Sequence, residues 1–276
     1  MVALGSRRVD VTTRALVMGV LNRTPDSFFA PAATYELDDL FRRAEQLVAD
    51  GADLLDVGGV KAGPGDEVSE AEELERVVPV IAELSTRFDV ALSVDTWRAT
   101  VAEAAFAAGA CVGNDISGFA DSRYLAAAAA ANASVVATHI RLAPRVPDPT
   151  PHYDDVTRTV TEFLIERRTW ARAAGLADEQ IILDVGLDLG KTTAQSLRLL
   201  RDSSVLAALG SVLLLSASNK TFLGALFDLD VSDRREASLC ATAIGVVLGC
   251  RILRVHDVAG TVRVRDVVAR LAEVRT

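Results

Sequence analysis

Three acceptors of fixed geometry stand out among the polar residues: Asp95 in Ser93-Val94-Asp95-Thr96, Asn114 in Asn114-Asp115-Ile116, and Asp184 in Leu183-Asp184. A carboxylate accepts two parallel N–H bonds at the spacing of an amidine edge, and an asparagine amide both accepts and donates. Together the trio suits a flat heterocycle carrying amidine-like N–H groups, such as a pterin or guanine ring. Each of them alone would be an ordinary helix cap. Arg254 and His256 lie two apart. An extended strand points both to one side, where two donors able to carry positive charge make a seat for an anion. Asn22-Arg23-Thr24-Pro25-Asp26-Ser27-Phe28 and Ser218-Asn219-Lys220 add further polar groups. His139 and His152 read as structural or surface residues, and no His/Cys/carboxylate spacing fits a zinc site. There is no nucleophile elbow, and Gly186-Leu187-Asp188-Leu189-Gly190-Lys191 is too short for a phosphate-binding P-loop.

These groups need a frame that brings distant segments together. Short apolar runs at 15–20, 53–57, 90–94, 111–115, 134–138, 180–184, 211–215 and 251–255 alternate with segments of helical period at 37–49, 70–88, 97–108, 124–132, 153–174 and 258–274. That alternation is the signature of βαβ units with parallel strands. The run 212–215 has no polar residue on either face, as expected where helices cover one side of a strand and a packed interior the other. The six alanines at 126–131 suit a helix lying close on a sheet. Gly51, Gly109 and Gly175 each end a helical run and precede a strand, the place of a left-handed C-cap. Eight units without a long linker favour closure, so the expected fold is α/β, a single (β/α)8 TIM barrel over residues 1–276. Its ligand chemistry should then collect at the C-terminal ends of the strands, where the polar groups above fall.

Composition agrees and narrows the partners. In 276 residues, 50% are hydrophobic and 5% aromatic, and 29 Lys and Arg face 38 Asp and Glu, for a formal charge of -9. No global field favours nucleic acid or an anionic membrane, and any phosphate must be held locally. Cys111, Cys240 and Cys250 form no CxxC pair and read as small core residues in a reducing cytoplasm. The first fifteen residues carry Arg7, Asp10 and Arg14, and no later run of about 18 apolar residues follows. Neither export nor a membrane span is expected.

In this order, Asn22 through Phe28, Asp56 to Gly59, Ser93 to Thr96, Asn114-Asp115-Ile116, Tyr153 to Val156, Leu183-Asp184, Lys220 and Ile252 through Val258 resemble dihydropteroate synthase across essentially the whole chain. The Asn-x-Thr-Pro-Asp-Ser-Phe and Arg-Val-His-Asp motifs are the specific ones. The resemblance implies a (β/α)8 barrel, usually homodimeric, that joins p-aminobenzoate to 6-hydroxymethyl-dihydropterin pyrophosphate with magnesium assisting. It implies pterin binding by Asp95, Asn114, Asp184 and Lys220, a phosphate-binding pair in Arg254 and His256, and contact with magnesium and pyrophosphate at Asn22.

The loops depart from that family. Its second loop, Gly-Glu-Ser-Thr-Arg-Pro-Gly, is here Gly59-Val60-Lys61-Ala62-Gly63-Pro64-Gly65. The Thr that orders the aryl substrate is thus Ala62, and the Arg is Gly63. In the first loop, Ser-Asp-Gly-Gly becomes Phe29-Ala30-Pro31-Ala32, so Ala30 stands where a carboxylate was. Leu189 replaces an aromatic wall, Asp188 adds an acid, Asn219 replaces a ring-stacking Arg, and Ser216 replaces a Gly. A charged hydrogen bond contributes about 1.5–3 kcal/mol, and about 1.4 kcal/mol is tenfold in rate, so the lost loop Arg and Thr alone correspond to about 10² to 10⁴ in turnover. The expected protein is a synthase paralogue that keeps the ring site and condenses little or nothing. Two alternatives are an active synthase with Lys61 standing in for the Arg, and an enzyme on another phosphorylated or pterin-like ligand that uses Asp188 as an acid.

Overall fold

Apolar residues spaced two apart build the inner wall of the molecule. In a computed structural model, which describes residues 1–23, 33–63 and 65–274, eight strands close into one barrel: β3 (Leu16–Asn22), β4 (Leu54–Gly58), β5 (Ala91–Asp95), β6 (Val112–Asp115), β7 (Ser134–Thr138), β8 (Ile181–Asp184), β9 (Val212–Leu215) and β10 (Cys250–Val255). Neighbours pair in parallel in chain order, and β10 closes the ring between β9 and β3. Ala30 and Pro64 lie outside the described residues.

Two apolar layers result from the strand period. Leu16, Met18, Leu54, Ala91, Val112, Val136, Ile182, Leu214 and Ile252 point inward and form one cluster. The alternate residues, among them Val17, Leu55, Leu92, Val135, Leu183 and Leu253, pack outward against the helices. A short antiparallel hairpin, β1 (Val2–Leu4) and β2 (Arg7–Val9), precedes the barrel. Its Val2 and Leu4 join the inner cluster and stopper the N-terminal end, and Ser134 Oγ donates to the Ala3 carbonyl at 2.7 Å. Nothing in the residue pattern announces this hairpin, since strands of three residues carry no readable period.

The connecting helices are α1 (Ala33–Ala49), α2 (Glu70–Arg87), α3 (Ala99–Ala107), α4 (Tyr124–Ala130), α5 (Val156–Ala173), α6 (Thr193–Arg201), α7 (Ser203–Ala207), α8 (Thr221–Ala225), α9 (Arg235–Val247) and α10 (Val258–Glu273). Sequence period placed α5 at 153, but it starts at Val156 because Asp155 caps it, accepting from Arg158 N at 3.0 Å. The alanine tract is helical to Ala130 and stops before Asn132, which has φ 51°. Gly51, Gly109 and Gly175 take φ of 96°, 118° and 97°, the left-handed caps expected of them. One cysteine expectation fails: Cys250 is buried and Cys111 partly so, but Cys240 is exposed on α9.

Candidate functional site

Following the inward-facing residues up each strand leads from apolar to polar. Two residues beyond Leu54 stands Asp56; two beyond Val112, Asn114; two beyond Ile182, Asp184; two and four beyond Ile252, Arg254 and His256. The same period that builds the core thus aims these groups into the C-terminal mouth. Arg254 lies at the centre of one network. Its Nε donates to Asp56 Oδ2 at 2.7 Å and its Nη2 to Asp95 Oδ2 at 2.6 Å. Asn114 Nδ2 donates to the same Asp56 oxygen at 3.1 Å. Asp56 is wholly buried, and its Oδ1 has no hydrogen-bond partner among the described residues. The sequence motif contained Asp56 but gave it no role; only its parity with Leu54 marks it as inward-facing.

On the other side of the mouth, the turn after β8 gathers two more candidates. Asp184 Oδ1 accepts from Gly186 N at 2.9 Å, and Lys220 Nζ donates to the Leu187 carbonyl at 2.8 Å. His256 Nδ1 lies 3.0 Å from Ser218 Oγ, and Arg43 Nη2 of α1 donates to the His256 carbonyl at 2.7 Å. Asn22 ends β3, with its amide oxygen beside Gly58 and the Asp95 side chain: a Cβ added at Gly58 would sit 3.2 Å from Asn22 Oδ1 and 3.5 Å from Asp95 Cβ. All seven sequence-derived candidates therefore reach one mouth.

Their charge states differ from the bare residue types. Burial drives the Asp95 carboxyl up to about 7, with Asp56 and Glu73 adding to the rise against the pull of Arg254. Burial raises Asp184 as well, while Lys220 is lowered by the same cause. At Arg254 burial opposes the charge, but Asp56 and Asp95 outweigh it and hold the guanidinium protonated. His256 falls to about 4 through burial and the nearby Arg254, Arg43 and Lys220, so it is neutral at pH 7. The two residues expected to form a cationic pair thus share a side of the strand, but one is neutralised by carboxylates and the other uncharged.

Two substituted positions behave otherwise than their types suggested. The Asp188 carboxylate accepts from Phe222 N at 3.2 and 3.3 Å, and Ser196 Oγ lies 3.4 Å from its Oδ1. It caps the start of α8 and also lines a cavity at the second loop. Asn219, at φ 59°, accepts on its carbonyl from Arg234 Nη1 at 3.0 Å and receives Ser238 Oγ at 3.5 Å on its side chain. It is held to the start of α9.

At the second loop, a Cβ on Gly63 would meet nothing within 4 Å among the described residues. Arg145, from the β7–α5 connection, reaches this loop, but its donors go to backbone: N to the Ala62 carbonyl at 3.0 Å, Nη1 to that of Lys61 at 3.3 Å, and Nη2 to that of Asp66. Below Ala62 and Gly63 opens a cavity of about 310 Å³ lined by Ile140, Leu142, Val146 and Leu189. Among the described residues no cluster of three or more His, Cys, Asp or Glu could hold a metal.

A family model described as pterin binding enzyme matches residues 18–256. The protein named inactive dihydropteroate synthase 2 of Mycobacterium tuberculosis is 42% identical over 268 residues, covering 95% of this chain and 84% of that protein. Dihydropteroate synthase of Bacillus subtilis is 38% identical over 247 residues, 89% of this chain and 84% of that protein. In three dimensions, the Yersinia pestis dihydropteroate synthase in complex with a sulfonamide drug superposes with a TM-score of 0.92 at 36% identity, covering 99% of each chain.

Proposed function

Because the chain belongs to the pterin-binding enzyme family, as a homologue of dihydropteroate synthase, we propose that it is one barrel domain over residues 1–276 that binds a pterin ring and has lost most of its capacity to condense it with an aryl amine. The observation that supports this is a contrast within one mouth. The Arg254–Asp56–Asp95–Asn114 network is formed and largely buried, while among the described residues no atom lies within 4 Å of a Cβ at Gly63, and the donors of Arg145 go to backbone carbonyls. The floor offers Asp95, Asn114 and Asp184 to the amidine edge of the ring, with Lys220 beside them. A relative carrying the name inactive dihydropteroate synthase 2 agrees with this reading.

Departure of a diphosphate requires that its charge be held as it forms, and the attacking amine must be oriented. Here the charge of Arg254 is already offset by two carboxylates, Asp56 on Nε and Asp95 on Nη2, which weakens its pull on a departing anion. The Asn22 amide oxygen, beside Asp95, is a hard donor of the kind magnesium takes together with waters and substrate phosphates. Asn22 would hold the ion, which would supply charge neutralisation to diphosphate oxygens.

We further place the protein in the cytoplasm as a homodimer. Its three cysteines are free, and no helix among the described residues is long and apolar enough to cross a membrane. Neighbouring α9 and α10 expose Ile244, Val247, Val267 and Leu271, apolar side chains that a second copy of the chain would cover. Light scattering of Val247→Glu/Leu271→Glu should give a monomer where the native chain gives a dimer.

The deciding experiment is calorimetric binding of 6-hydroxymethyl-dihydropterin pyrophosphate, with and without magnesium, paired with a product assay on the same preparation. Binding without product is expected. Turnover sufficient to rescue growth of a synthase-deficient cell would refute the loss of activity.

A further inference from the structure

Beside the ring site a lysine is buried where the family resemblance assigned nothing. Lys191, which follows the turn after β8, is 7% exposed. Its Nζ lies 2.8 Å from the Gly186 carbonyl, 2.9 Å from His139 Nδ1 and 3.0 Å from the Leu189 carbonyl, with the His139 carbonyl farther off at 3.3 Å. Burial lowers the Lys191 amine to about 7 against the pull of Asp184; in its ammonium form it has three N–H donors and no acceptor and satisfies the three nearer acceptors at once. This arrangement requires His139 Nδ1 to be bare. Burial and the neighbouring Lys191 hold that imidazole neutral, at about 3, and its other nitrogen then carries the proton.

The segment so fastened is the one that presents the ring-binding groups. The Gly186 peptide that gives its carbonyl to Lys191 gives its N–H to Asp184 Oδ1 at 2.9 Å. The next carbonyl, of Leu187, takes Lys220 Nζ at 2.8 Å. Gly186 has φ 63°, and a Cβ there would lie 2.0 Å from the His139 carbonyl, so turn and strand end are in direct backbone contact. Tyr153 Oη closes the far end of the turn by donating to the Gly190 carbonyl at 2.9 Å.

We propose that Lys191 is a positioning residue for the ring site, its ammonium holding the 185–190 turn in the one shape that directs Asp184 and Lys220 at the ligand. The proposal rests on the ring-binding reading and adds to it a residue that never touches the ring. Lys191→Met keeps length and apolar volume but takes the donor from His139 Nδ1 and the Leu189 carbonyl, while the Gly186 carbonyl keeps Leu189 N at 3.1 Å.

The test uses the full chain and 6-hydroxymethylpterin, following fluorescence quenching by bound protein. Val160→Ala, a buried position on α5, serves as a variant of comparable thermal destabilisation. Pterin affinity should fall at least tenfold in Lys191→Met and less than twofold in Val160→Ala. Should Lys191→Met not fold, His139→Leu removes one acceptor and leaves the ammonium, and a threefold to tenfold loss is expected. In the native chain, ¹⁵N NMR should show His139 protonated on Nε2 alone. Native affinity in Lys191→Met, or equal losses in it and the control, overturns the positioning role while leaving the ring site standing. A native chain that binds no pterin overturns the ring site and the positioning role with it.

Discussion

At Asp95 burial outweighs the attraction of Arg254, and the carboxyl is pushed from an ordinary 3.8 to about 7. Between those values the folded chain holds a proton that the unfolded chain has released, so this group makes stability decrease as pH rises through that window. Asp115, raised to about 6 by burial, acts in the same sense. Asp184 is raised as well, while His139 and His256, held below their ordinary 6.5, act in the opposite sense; Asp95→Asn removes one titration that lowers stability with pH. The slope of urea midpoint against pH from pH 5 to pH 7 should therefore be more positive in Asp95→Asn than in the native chain, and equal slopes would show that Asp95 stays ionised. The residues that matter here were unequally legible. Asp95, Asn114, Asp184, Arg254 and His256 end apolar runs or just follow them, and so read as strand tops. Asp56 is penultimate in its run, as Asn114 and Arg254 are in theirs, and reads as a strand top too; its place beneath Arg254 follows from strand parity once Leu54 is known to face inward. Charge state was less legible still, because it depends on partners nearly 200 positions away, such as Asp56 for Arg254.

The turn after β8 and helix α8 behave as one element, joined through Asp188. A five-residue helix such as Thr221–Ala225 has little intrinsic stability, and a carboxylate accepting from Phe222 N meets its orphan donors. Asp188 does this at φ 66°, a conformation that costs a non-glycine residue about 1–2 kcal/mol. Losing a cap costs about 0.5–2 kcal/mol. Asp188→Gly loses the cap and relieves the strain, and should stay within about 0.5 kcal/mol of the native chain; Asp188→Ala loses the cap and keeps the strain, and should be lower by about 1–2 kcal/mol. Chemical denaturation distinguishes the two, and equal losses would mean that the carboxylate contributes no capping. From sequence, Asp188 could be read only as an added charge, since a left-handed residue eight positions before Ser196 and 34 before Phe222 leaves no local pattern. The helices with local signals, a periodic face or a following glycine, were found. The four from 193 to 247, broken by short turns, were not delimited.

Across the whole barrel, stability and chemistry occupy opposite ends. The inner apolar cluster and the β1–β2 hairpin fill the N-terminal half, and the polar network and the described part of the second loop occupy the mouth. Eight alternating units made the barrel legible in the sequence, and with it the end where ligands would bind; the stopper at the opposite end was not legible. That separation predicts that loop chemistry can be restored at little cost to the fold. A side chain at Gly63 has open space around its Cβ, and Ala62 is linked to the rest of the structure through its carbonyl, which accepts from Arg145 N at 3.0 Å. Ala62→Thr/Gly63→Arg should therefore shift Tm by no more than about 2 °C, the ordinary range of surface changes. Two restored groups acting on the transition state correspond to about 10² to 10⁴ in rate. The first loop, with Ala30, remains substituted, and about a tenfold gain in dihydropteroate formation is the least expected. Single-turnover assays on matched preparations, with pterin affinity measured alongside, decide the matter. A variant with native stability and native pterin affinity but no gain in product would place the deficit outside the second loop, and the contrast between an intact floor and a vacated rim would no longer account for the lost reaction.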